Sequence, residues 1–254
     1  MRPGRRRAFT FIELLVVLAM LSVLAVLLLP LLMATKRKAQ QIRSLHNVRQ
    51  LTMNCHIGAA DTGGRTGYNS KDLWMAAYIR QPKIMMCPST RRENPLPITL
   101  TQGTADTAWT WANPEAKDVF VGSYGFNGWL YDKPAYGALK NPSLMMGKLA
   151  RIQKPPLTPV FCDAIWPDLW PMETNAPFPD LYRGQLYGQG MGRCTIARHG
   201  GNPAKAPQNF NTRQPLPGRI NMGFADGHAA SVSLENLWQF YWHLDWQVPG
   251  QRPK

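Results

Sequence analysis

Apolar side chains follow two patterns along this chain. From Leu14 to Ala34 they form a run of 21 residues without a charge. That is long enough to cross the hydrocarbon core of a bilayer as a helix. Beyond it the run becomes a stripe. Ile42, Leu45, Val48, Leu51 or Thr52, Cys55 and Ala59 recur at three- and four-residue spacing, with Arg43, Asn47, Arg49 and Gln50 mostly outside it. No Gly or Pro interrupts residues 31–57, and Asp61-Thr62-Gly63-Gly64 supplies the stop. One helix from Phe9 to about His56 would measure roughly 70 Å at ~1.5 Å per residue. Its first half is apolar all round and its second half is amphipathic.

The rest of the chain reads as short elements separated by turns. Ser70–Arg80 predicts a short helix capped by Ser70, with Leu73, Trp74, Ala77 and Tyr78 on one face and Pro82 closing it. Met85-Met86-Cys87-Pro88 reads as a buried strand end. Strands are expected over Val119–Asn127 and Pro159–Ile165, and Asn202–Gly218 reads as an exposed loop. Ile220–Leu234 carries the strongest hairpin signal, around Asp226-Gly227. A two-residue loop would split its apolar set between the faces. A three-residue loop, Ala225-Asp226-Gly227, sets Phe224 against His228, Met222 against Ala230 and Ile220 against Val232. Asp226 then stands at an exposed turn and His228 joins the apolar face. Ser233–Trp246 reads as a helix capped by Ser233 and packed into the domain, with a subunit- or ligand-facing surface as the other reading of its aromatic density. Together these elements make an α+β chain.

Composition changes this picture little. Hydrophobic residues are 44% of the 254, enough for a core, and 22 Pro with 21 Gly fit a loop-rich domain. The net charge is +14, of which Arg2, Arg5, Arg6 and Arg7 precede the apolar run. A basic surface can meet nucleic acid, anionic lipid or acidic polysaccharide. The four cysteines, Cys55, Cys87, Cys162 and Cys194, form no C-x-x-C pair, so their even number suits disulfides in an oxidising compartment better than a four-cysteine zinc site.

One acid, Glu13, stands at the head of the apolar run, four residues after Phe9. An ionisable group entering a membrane span asks for a partner. The segment Arg7-Ala8-Phe9-Thr10-Phe11-Ile12-Glu13-Leu14-Leu15 resembles the processing motif of type IV prepilins and type II secretion pseudopilins. The resemblance implies a cut between Ala8 and Phe9 by a prepilin peptidase, with methylation of the new amino group. It implies that Glu13 pairs with the amine of a neighbouring subunit. Pro30 matches a helix-kinking proline of such anchors. Ala8 stands where the family usually has glycine. Arg6-Arg7-Ala8-Phe9 is also similar to a twin-arginine signal, against which stand Glu13 and the very apolar run. Basic residues flank the span on both sides, so the cytoplasmic N-terminus and the extracytoplasmic head follow from the resemblance and not from charge.

The division expected is a leader over 1–8, a transmembrane and polymerisation helix over 9–34, an amphipathic extension over 35–60 and a head over 61–254. The implied fold is pilin-like, with the helix packed on a loop-rich antiparallel sheet. The implied role is a structural subunit of a type IV pilus or a type II secretion system, single-pass in the inner membrane. A membrane-anchored module that binds polysaccharide or nucleic acid is the alternative.

Ser123–Gly128, Pro159–Ala164, Arg198-His199-Gly200-Gly201 and Phe224–His228 are similar to segments of prepilin-like proteins with a C-terminal His-to-Asp-Gly motif. Carried over, the motif residues are His199, Asp226 and Gly227. The family spacing is usually shorter; here 26 residues separate His199 from Asp226. Asp163, His199 and Asp226 are the candidate metal ligands. Calcium is known in pseudopilin heads but takes about 6–8 oxygen ligands, and histidine favours zinc. Otherwise no cofactor is expected. Trp109, Trp111, Trp129, Trp166 and Trp170 lie in loop-like text, where aromatics can stack on sugars or bases. No nucleophile–base set, P-loop or dinucleotide fingerprint stands out, so no enzymatic activity is expected.

Overall fold

Helix α1 runs from Phe11 to Ala60 in the computed structural model, which describes residues 10–66, 82–92, 100–113, 118–132, 141–188 and 190–254. The leader, the Ala8–Phe9 cut site and the helix expected over Ser70–Arg80 lie outside the described residues. The chain divides into two compact units, Met1–Ala39 and Gln40–Lys254.

In the first unit every large apolar side chain from Phe11 to Met33 is exposed. The few polar side chains of this stretch are satisfied by the helix itself. Ser22 Oγ donates to Leu18 O at 2.8 Å and Thr35 Oγ1 to Leu31 O at 2.9 Å, which suits a medium without water. Pro30 lies inside the helix, where it has no N–H for the carbonyl four residues back. Among the described residues, α1 is the one helix long and apolar enough to cross a membrane.

In the second unit the remaining turns of α1 pack on a sheet. The buried positions are Ser44, Val48, Leu51, Thr52 and Ala59. Ile42, expected on this stripe, is 56% exposed. Going back from Val48, the buried face continues through Ser44 and the half-buried Gln41, because there the helix meets polar groups of the sheet. Ser44 Oγ shares a 3.0 Å hydrogen bond with the Tyr124 hydroxyl, and Gln41 Nε2 donates to Ser231 Oγ at 2.6 Å. The expected Gly pair ends the helix: Gly63 and Gly64 have φ of +69° and +82°, and Gly64 N donates back to Ala59 O at 2.7 Å.

Two sheets follow. Strands β1 (Trp109–Asn113) and β2 (Asp118–Gly122) pair antiparallel. Strands β3 (Tyr124–Asn127), β4 (Pro159–Asp163), β5 (Asp168–Leu169), β6 (Arg219–Phe224) and β7 (Ala229–Ser233) form a five-stranded sheet in the order β5-β3-β4-β6-β7. It is antiparallel except for the short β3–β5 pair. The strand expected over Val119–Asn127 breaks at Ser123 and feeds both sheets. The fold is α+β with a pilin-like layout.

The hairpin has the register its alternation implies. Ile220 faces Val232 and Met222 faces Ala230, and Phe224 N donates to His228 O at 2.9 Å. Gly227 holds the left-handed position at φ +89°. Asp226 is exposed, and the His228 ring stacks on Phe224 with centroids 4.4 Å apart.

Two expectations are corrected. Met85–Pro88 is not a strand: Pro82–Met85 forms a 3-10 turn, and Thr90 closes the next turn on Cys87 O. Ser233–Trp246 is not an α-helix. Leu234–Gln239 is 3-10, Ser233 makes no side-chain cap, and the chain then turns to place Trp238, Trp242 and Trp246 in the core. The structure holds the four cysteines as free thiols. Cys55 donates to Thr66 O, Cys87 lies against His199, and Cys194 donates to Met191 O. Burial pushes the Cys162 thiol well above its ordinary pKa.

Candidate functional site

Two places gather the residues that the sequence singles out. At the start of α1, Thr10 and Glu13 hold one another. Thr10 N and Thr10 Oγ1 each donate to Glu13 Oε2 at 2.8 Å, and Glu13 N donates to Thr10 Oγ1 at 3.2 Å. This is a capping box, which satisfies helix-start donors reciprocally. The T-x-x-E spacing is legible in the sequence, but an argument from charge alone passes over it.

The second place is a buried polar cluster between α1 and the five-stranded sheet. Strand β4 ends on Asp163, which is fully buried. Asp163 Oδ1 accepts from Arg198 Nη1 at 3.2 Å, while Oδ2 accepts from Asn221 N at 2.7 Å and lies 3.2 Å from His199 Nε2. His199 is held beside β6 by a pair of backbone hydrogen bonds with Arg219, at 2.9 and 2.8 Å. Its Nε2 also lies 3.3 Å from Asn221 Nδ2 and 3.8 Å from Cys87 Sγ. Asn221 Nδ2 reaches the helix at Gln41 O, 2.9 Å away.

Arg198, next to His199 in the chain, carries no sequence signal for its role. Its guanidinium is fully buried, and each of its donors has an acceptor. Nε donates to Ala105 O, Nη1 to Ser123 O and Asp163 Oδ1, and Nη2 to Thr104 O and Ala164 O. A planar cation with five N–H groups can be buried in this way because none is left over. It ties the loop before β1, the Ser123 break and the end of β4 together.

Electrostatics follow from the pairing. Burial alone would raise the pKa of Asp163, but the neighbouring His199 and Arg198 and the Asn221 N–H outweigh it and hold the carboxyl below its ordinary range. Burial works against charge on His199, but the Asp163 carboxylate and the Cys87 contact carry its pKa up to about 9. The Tyr124 hydroxyl is pushed well above its ordinary pKa, mainly by burial.

Asp226 does not join this cluster. It sits past the far end of β6, where Oδ1 lies 2.5 Å from His228 Nδ1 and accepts from His228 N at 3.1 Å. His199 pairs at Arg219, the near end. About 17 Å of strand at ~3.3 Å per residue separates those ends, so the metal set of Asp163, His199 and Asp226 is not assembled. His199 and Asp226-Gly227 instead bracket one strand, and the residues that lengthen the interval lie in the loop before Arg219.

The tryptophans expected as a stacking platform are largely used inside the head. Trp109, Trp129 and Trp170 are buried, with Trp109 Nε1 donating to Tyr124 O and Trp129 Nε1 to Pro171 O. Trp111 and Trp166 are half-buried.

The model of the prokaryotic N-terminal methylation motif matches residues 3–29. No curated protein and no solved structure matches the chain. The motif, with the long apolar helix behind it, fits a type IV pilin-like protein.

Proposed function

We propose that this chain is a pilin-like structural subunit, cut between Ala8 and Phe9 by a prepilin peptidase, methylated at Phe9, and assembled with other subunits through Phe9–Ala34. The observation that carries this reading is the methylation motif over residues 3–29 on a helix whose apolar side chains from Phe11 to Met33 have no cover of their own. Lipid covers such a surface before assembly, and the helices of neighbouring subunits cover it in a filament. Glu13 is the acid that meets a neighbour's N-terminal amine, and the head stands outside the inner membrane. Serving a type IV pilus or a type II secretion pseudopilus is equally compatible with these features. A structural subunit needs no catalytic site.

Mass spectrometry of the mature N-terminus tests the proposal. The expected terminus is a methylated Phe9. A chain that keeps Met1, or one cut beyond Pro30, overturns it.

A further inference from the structure

Three segments distant in sequence bring one donor atom each to a common place. Cys87 Sγ, Asp163 Oδ2 and His199 Nε2 lie within 4.8 Å of one another, and all three residues are buried. His199 Nε2 is 3.8 Å from Cys87 Sγ and 3.2 Å from Asp163 Oδ2. A tetrahedral ion with metal–sulfur bonds of about 2.3 Å and metal–nitrogen or –oxygen bonds of ~2.0–2.2 Å separates its ligands by about 3.3–3.6 Å. His199 Nε2 is already near that spacing from both partners, and drawing Cys87 Sγ toward Asp163 Oδ2 completes the set. We propose that Cys87, Asp163 and His199 form a binding site for a soft divalent cation of the zinc class.

The surroundings suit such an ion. Ser89 N donates to Cys87 Sγ at 3.4 Å, which fixes the direction of the sulfur. Arg198 holds Asp163 Oδ1 and Asn221 N holds Oδ2, which orients the carboxylate as the second shell of a metal site does. Asn221 Oδ1 is buried and has no hydrogen-bond partner among the described residues, on the same carboxamide whose Nδ2 lies 3.3 Å from His199 Nε2. It can accept from a water that fills the fourth metal position. A metal-bound thiolate and the carboxylate match a dication, which leaves the Arg198 charge to its four backbone carbonyl acceptors. One sulfur, one nitrogen and one oxygen donor suit zinc and do not suit calcium.

Such an ion has a structural task. Helix α1 grips the Cys87 segment through Gln40 Nε2 on Pro88 O at 2.8 Å and Asn47 Nδ2 on Met86 O at 3.1 Å. Coordination ties that segment to β4 and to the partner of β6, and so fastens helix to sheet.

The test uses the full chain in detergent, stripped with a chelator and titrated with cobalt(II). The expected result is one ion per chain, with a thiolate-to-cobalt charge-transfer band and tetrahedral visible bands that zinc displaces. Cys87→Ser removes the charge-transfer band and weakens zinc binding at least about 100-fold, while Cys55→Ser changes neither. X-ray absorption of the zinc-loaded native chain needs no variant to fold, and it should show one sulfur neighbour at about 2.3 Å. Less than one ion per chain, a zinc shell without sulfur, or a charge-transfer band that survives in a folded Cys87→Ser chain overturns the proposal.

Discussion

Gly223 on β6 faces Thr52 on α1 so closely that a Cβ at 223 would stand 2.1 Å from Thr52 Oγ1 and 3.1 Å from Val48 Cγ1. The helix can lie on the sheet here because the sheet offers only backbone. Gly223→Ala is expected to destabilise the head by about 1–3 kcal/mol, the usual cost of overpacking. Thr52→Ala in the same chain removes the nearest atom and should restore part of the loss, so the two changes will not add. Denaturant unfolding of the two single variants and the double variant measures this. Unchanged stability of Gly223→Ala would show that the helix does not seat at this point.

Asp163 compensates two buried cationic partners, Arg198 and His199. Asp163→Asn keeps the shape and removes the charge, leaving Arg198 without its counter-ion. The expected loss is about 3–5 kcal/mol, read from denaturant unfolding in the presence of chelator. A loss below 1 kcal/mol would mean that the backbone carbonyls around Arg198 suffice on their own.

Much of the fold is legible in the sequence because it rests on local rules. The unbroken run and the stripe give the helix, and alternation around Asp226-Gly227 gives the hairpin register. The misses have physical causes. Ile42 fits a three-residue step from Leu45, but the helix turns Ser44 and Gln41 inward because Tyr124 and Asn221 wait there. The C-terminal aromatics read as helical, yet the chain leaves the 3-10 turn so that Trp242 Nε1 can donate to Leu237 O and Trp246 Nε1 to Trp238 O. The even cysteine count says nothing of the contacts that packing gives, Cys55 on Thr66 O and Cys87 beside His199. The cluster was half visible. Asp163 and His199 were named from resemblance, whereas Cys87 is 112 residues from His199, and no spacing rule links them.

Glu13 has a task before any neighbour arrives, since it completes the capping box with Thr10. Two variants separate that task from pairing. Glu13→Gln keeps an acceptor for Thr10 and loses the charge, while Glu13→Ala loses both, costing about 1 kcal/mol at the helix start. Both variants should reach the membrane and neither should enter filaments, as measured by the sheared surface fraction. Normal incorporation of Glu13→Gln would assign the carboxylate to capping alone.

Asp106 links the loop before β1 to Tyr182. Burial would raise its pKa, but hydrogen bonds from Tyr182, Thr104 and Arg91, with the Arg91 charge, bring it below its ordinary value of 3.8. The folded state therefore binds this proton less readily than the unfolded state. The carboxylate's contribution is complete above pH 3.8 and is lost as the pH falls through the lower folded value. Melting curves of the native chain and of Asp106→Asn should differ at neutral pH and converge in acid. A constant gap across that range would refute the assignment.

The last segment of the chain supplies Trp238, Trp242 and Trp246 to the interior, within sixteen residues of Lys254. A head built in this way cannot close its core until residues 238–246 are present. The strands made earlier in synthesis must therefore wait for this segment before the head can fold. Synthesis through Trp246 thus becomes a checkpoint, and a head that lacks residues 238–246 is left with an open core.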